Sequence, residues 1–140
     1  MGSLRIIEDG AFADFEFEAQ GSNLEDLFAE CGKAVFIAIC DISKIEPKTS
    51  VEFEVEGETL EDLLFAFLSE LIFIKDTKKL LFSDFIIEIG EAHRLYCKAI
   101  GEPIDLVKHQ PKIDVKAATY HKLKINKTDA GYSVRVILDL

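Results

Sequence analysis

The stretch EFEAQGSNLEDL, residues 16–27, returns as EFEVEGETLEDL at residues 52–63. Eight of the twelve positions are identical, and self-similarity of this kind indicates one supersecondary unit used twice. In each copy, apolar and acidic residues alternate up to a glycine, Gly21 or Gly57, which is the pattern of a strand with one buried face. A helix is expected after each glycine.

Both copies carry the start signals of a helix. Asn23 and Thr59 are suitable N-caps, each followed three residues later by an aspartate in place of the capping-box glutamate. Apolar residues at steps of three and four then predict helices over about 24–42 and 60–75. Strands are predicted in the rest of the chain, over about 81–89, 95–100, 115–121, 123–126 and 132–139. This order predicts an α+β fold, a two-layer sandwich whose largely antiparallel sheet carries two long helices on one face.

Composition limits the class of protein. The 140 residues, 49% of them hydrophobic, fit one globular domain over 1–140. No apolar run approaches the roughly 20 residues of a membrane span, and no signal peptide is indicated, so a cytoplasmic protein without membrane contact is expected. The net charge of −10 argues against strong direct nucleic-acid binding. Residues 101–140 nevertheless hold seven basic and five acidic side chains, which suits either a solvated strand face or a docking edge for an acidic partner or a phosphate.

Few residues suggest reactive chemistry. The three cysteines are widely spaced in apolar sequence, so we expect them to be buried core residues rather than disulfide partners or metal ligands. Nucleotide-binding, zincin and hydrolase motifs are absent from the sequence. The histidines are scattered, and for His121 a hydrogen-bonded position at a sheet end is the simpler interpretation.

The remaining candidate for chemistry in this sequence is a metal site made of carboxylate oxygens. Asp14 lies at the entry to the first repeat strand, and Asp139 is followed by the Leu140 carboxylate. Hard divalent cations prefer such oxygens, with calcium taking 6–8 of them and magnesium about six, waters included. Spacing alone does not show that residues 14 and 139 meet, so a metal site is a hypothesis from the residues.

Several motifs together resemble the archease family. They are the two glycine turns before LEDL, the apolar helix LLFAFLSELIFI at 63–74, GEPID at 101–105, VKAATYH at 115–121 and the end VILDL at 136–140. The resemblance runs through nearly the whole chain in the same order. It implies a non-enzymatic partner of the GTP-dependent tRNA-splicing RNA ligase, which promotes guanylylation and multiple turnover of the ligase and carries a metal ion on acidic groups.

The resemblance also implies site residues. Asp14 matches the aspartate of the family's His-Thr-Ala-Asp motif, Asp139 matches the terminal aspartate, and the Leu140 carboxylate completes the acidic group. Lys116 matches the lysine of the VKAATYH strand and is a candidate contact for a partner or a phosphate. His121 is a candidate for a residue that contacts the metal ligands without binding the metal itself. A divalent metal is expected, calcium foremost, with magnesium or manganese as alternatives.

One departure from the family pattern is clear, because Ala11 and Phe12 replace the histidine and threonine of that motif. Two other functions stay open. One is a chaperone-like modulator of a tRNA methyltransferase, and the other is a small metal-dependent phosphoryl-transfer or hydrolytic enzyme that uses the same carboxylates. No general base or nucleophile is evident for the enzyme.

Overall fold

The computed structural model describes residues 2–7 and 14–140. Ala11 and Phe12, where the sequence departs from the family motif, lie outside these ranges. The described strands are β1 (Gly2–Ile7), β2 (Asp14–Gly21), β3 (Thr49–Glu56), β4 (Leu80–Gly90), β5 (Arg94–Pro103), β6 (Ala117–Ala118), β7 (Ile125–Thr128) and β8 (Gly131–Asp139). The α-helices are α1 (Leu24–Ile39), α2 (Leu60–Lys78) and α3 (Leu106–His109).

The strands form two antiparallel sheets. The first has the order β1-β2-β8-β6, with β7 also paired to β8, and the second has the order β3-β5-β4. Helix α1 packs against β1, β2 and β8 of the first sheet and against β4 of the second, whereas α2 packs mainly against the second sheet and β6. The predicted α+β fold with two long helices is therefore confirmed, and its strands are divided between two sheets.

The internal repeat explains this division, because each copy contributes its strand to a different sheet. Strand β2 and helix α1 form the first copy, and β3 and α2 form the second. The predicted caps are present: Asn23 Oδ1 accepts the Asp26 N–H at 2.8 Å, and Thr59 Oγ1 accepts the Asp62 N–H at 3.0 Å. Each cap satisfies one N–H that the first helical turn leaves without a backbone partner.

The glycine of each copy is required by close packing. A Cβ at Gly21 would lie 2.3 Å from the backbone nitrogen of Leu27, and a Cβ at Gly57 would lie 2.5 Å from that of Leu63. Any larger residue would push the strand away from the helix that it precedes. The glycine and the cap together therefore fix how each strand turns into its helix.

Aromatic side chains join the two helices to the second sheet. Phe67 of α2 and Phe85 of β4 pack edge to face with ring centroids 6.3 Å apart, and both lie close to Gly32 of α1. The three cysteines are buried, as predicted. Burial raises the pKa of Cys97 to about 12 and that of Cys31 further, so neither thiol is a ready nucleophile at neutral pH.

Some element boundaries differ from the prediction. Strand β1 was not predicted, and the strand predicted over 115–121 is reduced to Ala117–Ala118. The reduction has a local cause, because the chain turns after Tyr120, where Lys122 has φ 56° and the Leu123 N–H bonds to the Tyr120 carbonyl. Over residues 2–7 and 14–140, no helix has both the length and the apolar character needed to cross a membrane.

Candidate functional site

Asp14 and Asp139 lie directly opposite each other on neighbouring strands. Asp14 opens β2, Asp139 closes β8, and the two residues are in register in the antiparallel pair. Cβ atoms at such positions are about 4.5–5.5 Å apart on the same face of the sheet. Both residues are exposed. The fold therefore brings together two carboxylates that are separated by almost the whole chain, at one open end of the first sheet.

The other outward carboxylates of β2 are neutralised. Glu16 forms a salt bridge with Arg135 at 3.3 Å, and Glu18 forms one with Arg5 at 3.4 Å. No salt bridge to Asp14 or Asp139 is found within the described part of the chain. Like charges opposite each other in a sheet are destabilising, so a cation bound at this pair would relieve repulsion.

The donor set suits a hard divalent cation, because every side-chain ligand at the pair is a carboxylate oxygen. Residues 2–7 and 14–140 contain no cluster of three or more His, Cys, Asp or Glu side chains that could hold a metal. The side chains described at this end therefore supply two carboxylates, and further ligands would come from water, from main-chain or Leu140 oxygens, or from a partner. The Leu140 side chain packs against the core beside Asp139.

Lys116 is tied to the same end of the sheet through its backbone. Its N–H donates to the Asp139 carbonyl at 2.8 Å, and the next residue, Ala117, pairs with Asp139 in β6. The Lys116 side chain is exposed and makes no salt bridge within the described residues. Asp139 is thus flanked by Asp14 on one side and by the Lys116 segment on the other.

The residues that follow Lys116 anchor its segment. Thr119 donates both its N–H and its hydroxyl to the Ile137 carbonyl, at 3.2 and 2.9 Å. The Tyr120 ring stacks on Phe65 at a centroid distance of 4.1 Å, and its hydroxyl donates to Asp62 at 3.0 Å. Burial and this hydrogen bond raise the pKa of Tyr120. The threonine and tyrosine of VKAATYH therefore hold the strand in place.

His121 lies beyond this anchor, exposed in the turn after Tyr120. Ala118, the last residue of β6, pairs with Leu138, so the chain leaves β8 before it reaches His121. No hydrogen bond of the His121 ring is found among the described residues. A role for His121 in supporting the metal ligands, without binding the metal itself, stays a prediction.

A buried polar network was not predicted from the sequence. Glu102, only 3% exposed, accepts hydrogen bonds from the Glu46 N–H at 2.9 Å and from His109 Nε2 and Lys108 Nζ, each at 2.8 Å. The Lys108 ammonium and the Glu46 N–H hold the pKa of the Glu102 carboxyl well below its usual range. His109 Nδ1 accepts the Asp105 N–H at 2.9 Å, which identifies Nε2 as the protonated nitrogen.

This network fixes the loop that contains α3, and it lies apart from the carboxylate pair. In the sequence this network is visible only through the GEPID segment at 101–105, which carries part of the family resemblance. Glu46 is 56 residues from Glu102 in the chain, and Lys108 and His109 follow Glu102 by six and seven residues, a spacing that matches no recognised motif.

Comparison with known proteins identifies the family. The profile of the Archease protein family matches residues 6–140. Protein archease from Pyrococcus furiosus is 42% identical over 122 residues, covering 85% of this chain and 86% of the relative. Protein archease from Methanosarcina barkeri is 33% identical over 133 residues, covering 91% and 90%.

Solved structures agree with this assignment. The solution structure of protein 1598 from Methanobacterium thermoautotrophicum matches with a TM-score of 0.84 and 35% identity, over 98% of both chains. The crystal structure of an archease from Thermotoga maritima, described as a possible chaperone, has a TM-score of 0.62 at 22% identity over 96% of this chain and 94% of that one, which supports the fold. The chain therefore belongs to the archease family.

Proposed function

We propose that this chain is a non-enzymatic, cytoplasmic cofactor of the GTP-dependent tRNA-splicing RNA ligase, whose guanylylation and multiple turnover it promotes. Membership of the archease family supports a role beside a partner protein. The observation that carries the proposal is the carboxylate pair, Asp14 opposite Asp139, which is exposed and lacks a salt bridge within the described residues.

Asp14, Asp139 and the Leu140 carboxylate are the proposed ligands of a divalent cation, calcium foremost, with magnesium or manganese as alternatives. A bound cation would supply positive charge and open coordination positions for phosphate or carboxylate oxygens. The two aspartates are held by the strand pairing, so their positions are set before any partner arrives. Lys116 would add a point charge beside them for a phosphate or an acidic side chain of the partner.

Multiple-turnover ligation tests the proposal. The purified ligase is incubated with RNA ends, GTP and its divalent metal, with and without this chain. We expect the chain to increase the number of turnovers, and we expect Asp14→Ala and Asp139→Ala to abolish the increase. Lys116→Ala should weaken it. Circular dichroism should show unchanged secondary structure in all three variants, because the three side chains are exposed.

Glu16→Gln is the matched control, because it removes a carboxylate from the same strand, close to Asp14, that is already paired with Arg135. It should stimulate the ligase like the unmodified chain. If Asp14→Ala and Asp139→Ala both stimulate fully, the carboxylate pair has no part in the function.

A second candidate function has some support in the description of the Thermotoga relative as a possible chaperone. It is a chaperone-like modulator of a tRNA methyltransferase, and it predicts that the chain prevents aggregation of that enzyme or raises its activity without affecting ligation. The third alternative, a small metal-dependent enzyme, requires the chain alone to turn over a phosphoester with magnesium or calcium. The ligation assay, a methyltransferase assay and a phosphoesterase assay separate the three.

A further inference from the structure

The second sheet has one face that no helix or strand of residues 2–7 and 14–140 covers. Its inner face carries Leu95, Cys97 and Ala99 of β5, each no more than 1% exposed, beneath the two long helices. Side chains alternate along a strand, so the residues between these three point to the opposite side. We call that side the outer face, and its central residues are Glu52, Glu54 and Glu56 of β3, Arg94, Tyr96 and Lys98 of β5, and Asp84, Ile86 and Glu88 of β4.

Tyr96 lies at the centre of the outer face, between two glutamates. It is in register with Glu54 on one side and with Glu88 on the other, and Cβ atoms at such positions are about 4.5–5.5 Å apart. The Tyr96 hydroxyl donates to Glu52 of β3. This hydrogen bond is the main cause that raises the pKa of Tyr96 to about 12, and desolvation and the charges of Glu52 and Glu88 add to it. The phenol is therefore protonated at neutral pH, with three carboxylates around it.

The outer face is negatively charged when every charged group on it is counted. Arg94 is salt-bridged to Glu56 at 3.8 Å, and Lys98 is in register with Glu52. The face holds two basic side chains and five carboxylates, which leaves a net charge of about −3; the basic residues are Arg94 and Lys98, and the acidic ones are Glu52, Glu54, Glu56, Asp84 and Glu88.

The ends of the strands do not cancel this charge. At one end, Glu58 follows β3 and Glu91 follows β4, and both are exposed. At the other end, Lys48 precedes β3, but its ammonium is already shared between Glu46 at 3.4 Å and Glu102 at 3.5 Å. The outer face and its surroundings are therefore acidic as a whole.

This charge selects the kind of molecule that can cover the outer face. A second copy of the chain would place the same negative charge against it, which is unfavourable. Nucleic acid and anionic lipid carry negative charge as well and are disfavoured for the same reason. A basic segment of a partner protein has the complementary charge.

The arrangement at Tyr96 favours arginine within such a segment. Glu54 and Glu88 form no salt bridge within the described residues, so their carboxylates are available on both sides of the phenol ring. A guanidinium is planar, binds a carboxylate through two N–H groups and stacks on aromatic rings. The ammonium of a lysine is a point charge and has neither property.

We propose that the outer face binds a basic segment of a partner protein, with one arginine side chain over the Tyr96 ring and between Glu54 and Glu88. Further basic residues of the segment would meet the other carboxylates of the face. Ile86, which is 50% exposed beside Lys98, would contact the apolar stem of a basic side chain. The inference does not depend on the ligase being the partner, and the Asp14–Asp139 pair belongs to the other sheet.

An NMR titration of the full chain with short peptides tests the inference. The probe is a capped seven-residue peptide in which three arginines alternate with threonines, compared with the same peptide carrying Lys or Glu in place of Arg. Spermidine serves as a small cation of similar charge. We expect the arginine peptide to shift the amide signals of Glu54, Glu88 and Tyr96. The lysine peptide should bind about twofold to fivefold more weakly, because it loses the stacking and the paired N–H contacts, and the Glu peptide should not bind.

Two replacements of Tyr96 separate the ring from the hydroxyl. Tyr96→Phe keeps the ring and should bind the arginine peptide like the unmodified chain. Tyr96→Thr removes the ring and should bind it about twofold to fivefold more weakly. The Thr variant should also lose the preference for arginine over lysine. Unchanged amide signals in the rest of the chain show that each variant is folded.

Charge variants locate the carboxylates that the segment contacts. Glu54→Gln combined with Glu88→Gln should weaken binding of the arginine peptide by about twofold to tenfold, the range expected for two exposed ion pairs. Glu70→Gln combined with Asp129→Asn is the matched control, because it makes the same change in net charge outside the second sheet. This control should leave binding unchanged.

Five results would overturn the inference. The first is no shift at the outer face with the arginine peptide, and the second is equal binding by the Tyr96→Thr or the Glu54→Gln and Glu88→Gln variants. The third is equally strong binding of spermidine at the same amides, which would show attraction of any small cation. The fourth is a shift of these amides with protein concentration alone, which would identify a second copy as the occupant. The fifth is the same shift with a single-stranded RNA oligonucleotide.

Discussion

Replacement of Asp14 by asparagine should have opposite effects on stability with and without calcium. Asp14 and Asp139 face each other across β2 and β8, and neither carboxylate has a salt bridge within the described residues. A like-charged cross-strand pair is unfavourable by about 0.2–1 kcal/mol. The Asp14→Asn substitution keeps the shape of the side chain and removes its negative charge. In EDTA at low salt, the variant should therefore unfold at a temperature up to about 4 °C higher than the unmodified chain.

Calcium should reverse the order of stability, so that the unmodified chain melts at a higher temperature than Asp14→Asn. A ligand present at 100 times its Kd raises the free energy of unfolding by about 2.7 kcal/mol, which corresponds to about 10 °C for a chain of this size. The unmodified chain should show this increase during a calcium titration followed by scanning calorimetry. Asp14→Asn should show little of it, because one of the two carboxylate side chains no longer carries charge.

Glu16→Gln distinguishes this effect from a general loss of negative charge. Glu16 is salt-bridged to Arg135, so its replacement should lower the free energy of unfolding in EDTA by up to about 1 kcal/mol and leave the calcium effect unchanged. The reasoning is refuted if Asp14→Asn melts below the unmodified chain in EDTA, or if it keeps the full calcium-induced increase.

Three further sets of substitutions test what stabilises the fold. Asn23→Ala and Thr59→Ala should each lower the free energy of unfolding by about 1 kcal/mol in urea titrations, because each removes the corresponding helix cap of one repeat. Phe67→Ala should lower it by about 3–5 kcal/mol, whereas Phe73→Ala, at a side chain that is 60% exposed, should change it by no more than about 0.5 kcal/mol. The lowered pKa of Glu102 stabilises the fold above the ordinary glutamate pKa of about 4.3, and this contribution is lost as the pH falls from there toward the folded-state pKa. Glu102→Gln should therefore be less stable than the unmodified chain at pH 7, and the difference should shrink between about pH 4.3 and pH 2 in melting experiments.

The fold was predictable wherever its signals were local. The strand alternation, the glycines and the caps of the repeat all act within about a dozen residues, and the predicted α+β arrangement and the archease resemblance are confirmed. Helix α1 ends at Ile39, before the predicted limit at residue 42, because Cys40 takes an extended conformation. Strand β1 was missed, since Gly2–Ile7 has little buried surface and is ordered by its pairing with β2.

The candidate site depends on longer-range information. Sequence showed that Asp14 and Asp139 are placed at strand ends, but only the antiparallel register of β2 and β8 shows that they meet. The Glu102 network was missed for the same reason, because its partner Glu46 is 56 residues away.

Strand β8 also has a consequence for synthesis of the protein on the ribosome. It lies between β2 on one side and β6 and β7 on the other, and it is the last of the described elements to be made. Until it emerges, one edge of β2 has no strand to pair with, although β1, β2 and α1 were made long before. Closing the first sheet requires contacts of very high sequence separation, which fold slowly. During translation the nascent chain therefore exposes an unpaired edge, the kind of surface that promotes aggregation and that chaperones protect.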